Sequence, residues 1–167
     1  MEWVISILVL LSLIGSVMWI KPSPRERMQS QMRLHARKAG LVVQLAQLET
    51  PRARGETEPT QLRLTAYRLL RRERARSHMP SSVWQVFRID NIASEGLPSG
   101  WSWKQGERSL SAEQLASLHQ LLEALPRSVL ALDSNPQQLS LYWREEGGIE
   151  RVDQLVQVLH TLQEKGL

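Results

Sequence analysis

The sequence predicts an α+β fold: an N-terminal transmembrane helix and a basic juxtamembrane helix, then a small, mostly antiparallel sheet with two C-terminal amphipathic helices. Three observations predict it. The chain opens on an uncharged apolar run, a capped basic segment follows, and the C-terminal half passes from strand-like alternation to leucines at helical spacing. Residues 1–20, 21–40 and 41–167 are therefore interpreted as anchor, juxtamembrane helix and globular domain.

The apolar run extends from Trp3 to Ile20 and contains no charged residue. As a helix it measures about 27 Å, close to the hydrocarbon thickness of a bilayer. Trp3 and Trp19 stand at its two edges, where indole rings favour a membrane interface. Gly15 and Ser16 are small enough to let a second helix approach closely, although ordinary membrane-helix composition is the favoured explanation for them.

The charges around this run predict an orientation. Glu2 precedes it, whereas residues 21–76 carry 14 Lys or Arg and 5 Asp or Glu. A cleaved signal peptide has the opposite arrangement, so an uncleaved anchor is favoured. Positively charged segments next to a membrane helix stay on the cytoplasmic side. We therefore expect a single-pass protein of a bacterial inner membrane, with the N-terminus outside and residues 41–167 forming a cytoplasmic domain. The juxtamembrane residues expected to contact anionic lipid or a partner are Lys21, Arg25, Arg33 and Arg37.

The elements beyond the anchor follow from caps and periodicity. Ser23-Pro24-Arg25-Glu26 is typical of a helix start with a capping box, and that helix should end at Gly40. Strands are predicted at 41–48, 61–70, 82–90 and 100–104, then a hairpin of 129–133 and 138–144. Ser111 with Gln114 begins one leucine-rich helix, and a second follows Gly147-Gly148.

Two further groups are candidate contact sites. Arginines are dense between Arg63 and Arg76, where Arg71, Arg72 and Arg74 are the central ones. The readings left open are anionic lipid, an acidic protein, nucleic acid, or a merely solvated connection. Trp101 and Trp103 share one face of a strand and are either core residues or, if exposed, a hot spot for a partner.

The sequence contains no motif that indicates a catalytic or cofactor site. It has no cysteine, no phosphate-binding loop and no dinucleotide fingerprint, and its four histidines are not at metal-ligand spacing. We therefore expect no catalytic, cofactor-binding or metal-binding residues and no small-molecule substrate. Nucleic acid is disfavoured as a partner, because aromatic residues do not interleave with the basic ones.

A resemblance accompanies the segment from Met18 to Arg27, with Lys21-Pro22-Ser23-Pro24 at its centre, followed by Gly40-Leu41-Val42-Val43. It is similar to uncharacterised single-pass inner-membrane proteins of proteobacteria. More loosely, it resembles the N-terminal region of the small accessory subunit of the bacterial preprotein translocase. The resemblance covers about 45 residues and implies an anchor, a basic exit helix and a small β-rich domain, but no binding residue.

The function expected from these features is that of a membrane-anchored, non-enzymatic accessory protein. Its expected partners are the lipid bilayer and a protein in or at a membrane complex. The alternatives are a tethered enzyme with scattered site residues, or a lipid or nucleic-acid binder that uses the Arg63–Arg76 stretch.

Overall fold

The computed structural model describes residues 2–18, 23–53, 55, 58–71 and 82–167. Helix α1 is Glu2–Met18, with 17 residues. At 1.5 Å per residue it measures about 25 Å. A helix that crosses a bilayer takes about 20 residues, which is more than α1 has. Within the described ranges, no helix is both long and apolar enough to cross a membrane. The transmembrane helix in the predicted fold class is therefore wrong, and so is the single-pass localisation that depended on it.

Helix α2, Pro24–Lys38, begins where the sequence predicts. The hydroxyl of Ser23 accepts a hydrogen bond from the Glu26 N–H, and the Glu26 carboxylate accepts one from the Ser23 N–H. This reciprocal cap satisfies two N–H groups that a helix start otherwise leaves unpaired. Met32 and Ala36 are buried, so α2 packs on the domain through a narrow apolar stripe. Its basic face remains exposed.

The described strands form a six-stranded antiparallel sheet in the order β1-β2-β6-β5-β3-β4. The strands are β1 Val42–Glu49, β2 Gln61–Leu70, β3 Trp84–Phe87, β4 Ser102–Gln105, β5 Val129–Ser134 and β6 Gln138–Trp143. The prediction of an antiparallel sheet in an α+β fold is confirmed. The β5–β6 hairpin lies in the middle of the sheet, and β1 and β4 are its two edges.

One face of the sheet carries the main core. Helices α3, Ala112–Ala124, and α4, Ile149–Glu164, bury their leucine stripes against it together with α2. The predicted cap of α3 is present, since the Ser111 hydroxyl accepts from the Gln114 N–H at 3.2 Å. Three tryptophans, Trp84, Trp101 and Trp143, are almost fully buried. A sheet covered on one face by apolar helix stripes is the packing that the sequence pattern predicts.

The other face has no helix on it among the described residues, yet it holds a second apolar cluster around Phe87, Ala131 and Tyr142. The ammonium group of Lys104, on β4, donates a hydrogen bond to the carbonyl of Glu49, on β1. The two edge strands therefore approach each other at this end. The sheet curls around its smaller cluster, which explains how these side chains are buried.

Candidate functional site

Helix α2 places a row of polar side chains beside the middle of β1, the first half of β2 and the end of β6. Because its start is held by the Ser23 cap, Arg25, Gln29 and Arg33 fall four residues apart on one helix face. All three line an open groove with a volume of about 360 Å³. The capped start therefore determines which basic side chains of α2 reach the groove.

A buried carboxylate holds one side of this groove. Glu145 follows β6 and is 6% exposed. Its two oxygens accept hydrogen bonds from Arg33 Nε at 2.7 Å and Arg33 Nη2 at 2.6 Å, and the Tyr67 hydroxyl donates to it at 2.9 Å. The bidentate geometry is the strong form of an arginine–carboxylate pair. Glu145 therefore connects α2 with strand β2 through Arg33 and Tyr67.

Arg33, Tyr67 and Glu145 form a hydrogen-bonded triad, whose protonation depends on burial and on the Glu145 carboxylate. Burial and the neighbouring Glu145 charge hold the pKa of Tyr67 well above its usual range. The hydrogen bonds that Arg33 donates to the Glu145 carboxylate raise the pKa of Arg33. Tyr67 therefore stays a neutral donor and Arg33 a cation. All three groups satisfy one another, which is the arrangement of a structural bridge rather than of a reactive acid or base.

Three arginines around the groove have no such partner. Arg25, Arg63 and Arg144 are exposed, and none of them forms an ion pair or a side-chain hydrogen bond with any other residue that the structure describes. Leu45, whose surface is 65% exposed, lines the same groove. The groove thus combines free positive charge with an accessible apolar side chain. The remaining lining residues are Gln29, Arg33, Leu62, Leu64, Thr65, Leu130, Trp143, Glu145 and Glu146.

A smaller pocket of about 220 Å³ adjoins the groove. It shares Leu62, Leu130 and Arg144 with the groove and continues towards Phe87 and Ile89. Its floor is therefore the open end of the second apolar cluster. The exposed arginines of the groove therefore surround a cavity whose inner wall is apolar.

The residues predicted as contact sites lie in different places and differ in exposure. Arg25 and Arg37 are exposed on α2, whereas Arg33 is half-buried and bonded to Glu145. Arg71 is 5% exposed and donates to Ser134 Oγ and to the Leu167 carbonyl, so it lies inside the protein. Burial lowers its pKa. The other predicted contacts, Trp19, Lys21, Arg72 and Arg74, lie outside the described residues.

The predicted hot-spot tryptophans are core residues. Trp101 and Trp103 are 2% and 3% exposed. The Trp103 Nε1–H donates to the Glu95 carbonyl at 3.0 Å, and the Arg88 guanidinium stacks 4.6 Å from the centre of the Trp101 ring. Of the predicted anchor residues, Trp3 is exposed on α1, and Gly15 and Ser16 belong to the same helix. Of the predicted contact residues that the structure describes, the groove brings together Arg25 and Arg33.

The sequence did not single out Arg144 or Glu145 as site residues. The pair Glu145-Glu146 resembles an ordinary acidic turn, and Arg33 lies 112 positions away in the chain. One local signal exists: Glu145 stands two residues after a buried strand that ends in Trp143, where a buried charged residue needs a partner.

A second polar cluster lies on the face of the sheet that carries Phe87. The Tyr142 hydroxyl donates to Asp133 Oδ2, and no described residue hydrogen-bonds to the buried Asp133 Oδ1. Burial raises the pKa of Asp133 above its ordinary value of 3.8, although bonds from Tyr142 and Ser140 and the charge of Arg68 oppose the shift. The folded state therefore binds this proton more tightly than the unfolded chain does.

This cluster predicts a pH dependence. Because the folded pKa of Asp133 is raised, the free energy of unfolding should fall as the pH rises from 3.8 through the raised pKa. We expect Asp133→Asn to raise the thermal midpoint at about pH 7 and to leave it unchanged below about pH 3, measured by circular dichroism. Equal shifts at both pH values would show that packing, not charge, causes the effect.

Within the described ranges, no group of three or more His, Asp or Glu residues is arranged to hold a metal ion. Comparisons of the chain with protein-family models, with curated proteins and with solved structures found no match. The resemblance noted in the sequence stays a prediction, and the groove is assigned from its own geometry.

Proposed function

We propose that this chain is a protein-interaction module that binds an acidic, extended protein segment in the groove between α2 and the strands β1, β2 and β6. The observation that carries this proposal is the set of three exposed arginines, Arg25, Arg63 and Arg144, without ion-pair partners in the described structure around the exposed Leu45. Guanidinium groups pair bidentately with carboxylates, and the exposed leucine beside them favours a partner that carries apolar as well as acidic residues.

Electrostatics beyond the groove supports an acidic partner. Residues 21–76 hold 14 of the 21 Lys and Arg and 5 of the 17 Asp and Glu of the chain. A field of one sign steers an oppositely charged partner and mainly increases the rate of association. Arg25 and Arg63 of the groove belong to this basic part of the chain, and Arg144 adds a third positive charge to the groove.

Two other classes of function have weaker support. An enzyme needs titratable groups directed into the cavity, but Glu145, the buried acid of this groove, is bonded to Arg33 and Tyr67. A binder of single-stranded nucleic acid stacks bases on exposed aromatic rings. Trp143 is the aromatic residue that lines the groove, and it is fully buried.

The proposal is tested with a short fluorescent peptide in which glutamate and valine alternate. We expect the peptide to bind at low ionic strength, and Arg25→Gln, Arg63→Gln and Arg144→Gln each to raise its Kd about two- to fivefold, as for exposed ion pairs. Fluorescence anisotropy measures the affinity, and raising the salt concentration should weaken it.

Arg108→Gln is the matched control. Arg108 is an exposed arginine of the loop after β4 and does not line the groove. Its removal should leave peptide affinity within about twofold of the parent. Equal losses from Arg108→Gln and Arg63→Gln would show that only net charge matters. If a single-stranded oligonucleotide binds more tightly than the peptide, the proposal is wrong and the groove binds nucleic acid.

A further inference from the structure

Strand β1 forms an edge of the sheet beside the groove. It has eight residues and pairs only with β2 among the described strands. An edge strand presents one row of backbone N–H and C=O groups that no neighbouring strand uses. The direction of each residue in β1 therefore decides what the edge can bind.

The hydrogen-bond pattern identifies the outward residues. The Thr50 N–H donates to the Thr60 carbonyl at 2.9 Å, which makes Thr50 and Thr60 a hydrogen-bonded pair. Such pairs alternate along an antiparallel ladder, so the even-numbered residues of β1 bond to β2 and the odd-numbered ones face away. Val43, Leu45 and Gln47 thus direct their N–H and C=O groups outwards.

The ends of the edge agree with this alternation. The Leu41 N–H donates to the Ala36 carbonyl at the end of α2, and the Glu49 carbonyl accepts from Lys104. Both are odd-numbered positions. Between these two occupied ends, no described residue hydrogen-bonds to the outward backbone groups of Val43, Leu45 or Gln47.

The edge also lacks the features that usually prevent pairing. From Val42 to Leu48 it contains no charged residue and no proline, and its register with β2 shows no bulge. Leu45 adds an exposed apolar side chain at its centre. Natural proteins normally interrupt such edges with lysine, proline or a bulge. The open stretch is therefore suited to an added strand.

We propose that the acidic segment binds by adding a strand to this edge of β1, pairing with the backbone of Val43, Leu45 and Gln47. This inference rests on the proposed function. Arg63 is opposite Gln47 in the register and therefore lies on the same face as Leu45. Alternate residues of an added strand share one face, so glutamates at every second position lie on the face of Leu45 and approach Arg63 and Arg25, while the valines between them lie on the opposite face.

Charge complementarity selects a foreign acidic segment over a second copy of this chain. Pairing two copies of β1 brings Arg25 and Arg63 of each towards the same seam. Neither arginine has an ion-pair partner among the described residues to offset that repulsion. Glutamates at alternate positions of a foreign strand neutralise both.

The test uses two N-methylated forms of the alternating glutamate–valine peptide, one methylated on its odd and one on its even residues. Added strands direct alternate N–H groups towards the sheet. We expect one form to bind at least about tenfold more weakly than the unmodified peptide and the other to bind within about threefold of it. Similar affinity of both forms would overturn strand addition, while continued dependence on Arg63 would leave the proposed function standing.

A pair of protein variants makes the same distinction. Leu45→Pro removes an outward N–H that β2 does not use, whereas Leu45→Ala removes the apolar contact and keeps that N–H. With both folds verified by circular dichroism, the proline variant should lose at least about threefold more affinity than the alanine variant. Equal losses would contradict strand addition.

Two other outcomes are distinguishable. If the parent chain forms dimers in sedimentation and Leu45→Pro abolishes them, the edge binds a second copy. Failure of the unmodified peptide to bind would overturn the proposed function itself.

Discussion

Replacing Trp143 by alanine is expected to lower the free energy of unfolding by about 3–5 kcal/mol, as for other large-to-small changes in a core. Trp143 is fully buried at the end of β6. Its ring meets that of Tyr67 edge-on at 5.5 Å, and its Nε1–H donates to Ser128 Oγ at 2.9 Å. The substitution leaves a cavity beneath the groove and an unpaired serine hydroxyl. Urea denaturation followed by circular dichroism measures the loss.

Trp3→Ala is the control for this prediction. Trp3 is 69% exposed on α1, so its removal should change the free energy of unfolding by less than about 0.5 kcal/mol. A loss below about 1 kcal/mol for Trp143→Ala would contradict the placement of Trp143 in the core.

Removal of the Glu145 carboxylate should have the second-largest effect. Glu145→Ala is expected to lower the free energy of unfolding by about 2–3 kcal/mol, because it leaves the buried Tyr67 hydroxyl and the Arg33 guanidinium without their acceptor. The loss should stay below that of a fully buried ion pair, since the Arg33 side chain is 36% exposed and water can solvate it. Thermal and urea unfolding give the measurement.

Two companion variants separate the causes. Glu146→Ala alters an exposed neighbour and should be neutral within about 0.5 kcal/mol. Glu145→Gln keeps an oxygen that can accept from Tyr67, so it should cost less than alanine. If glutamine and alanine cost the same, the charge pair with Arg33 accounts for the whole effect. If Glu146→Ala costs as much as Glu145→Ala, the triad does not fasten α2.

Much of the fold could be predicted because its signals are local. The Ser23 and Ser111 capping boxes depend on residues three apart, and both helices begin where those pairs stand. Strand β2 occupies the predicted 61–70, since alternation over ten residues identifies a strand well. The prediction at 82–90 was too long because β3 stops at Phe87. After Phe87 the chain turns, and the Arg88 N–H bonds to the Leu130 carbonyl.

The largest error concerned the N-terminus. An apolar run that extends to Ile20 suggested a bilayer-spanning helix, but α1 as described ends at Met18. The arginine cluster was difficult for a different reason. Charge density along the chain cannot show that Arg71 turns inwards to Ser134 and the Leu167 carbonyl, which lie 63 and 96 positions away.

The sequence by itself determined the α+β class, the helix starts and the segments that become strands, because caps and hydrophobic periodicity act within a few residues. Only the tertiary structure decided the strand order, the burial of Trp101 and Trp103, and the union of Arg33, Tyr67 and Glu145. It also decided which arginines near Leu45 have no ion-pair partner among the residues that the structure describes. The reason is physical: each of these outcomes depends on which distant groups satisfy a buried charge or cover an apolar surface, and that is settled only when the whole chain packs.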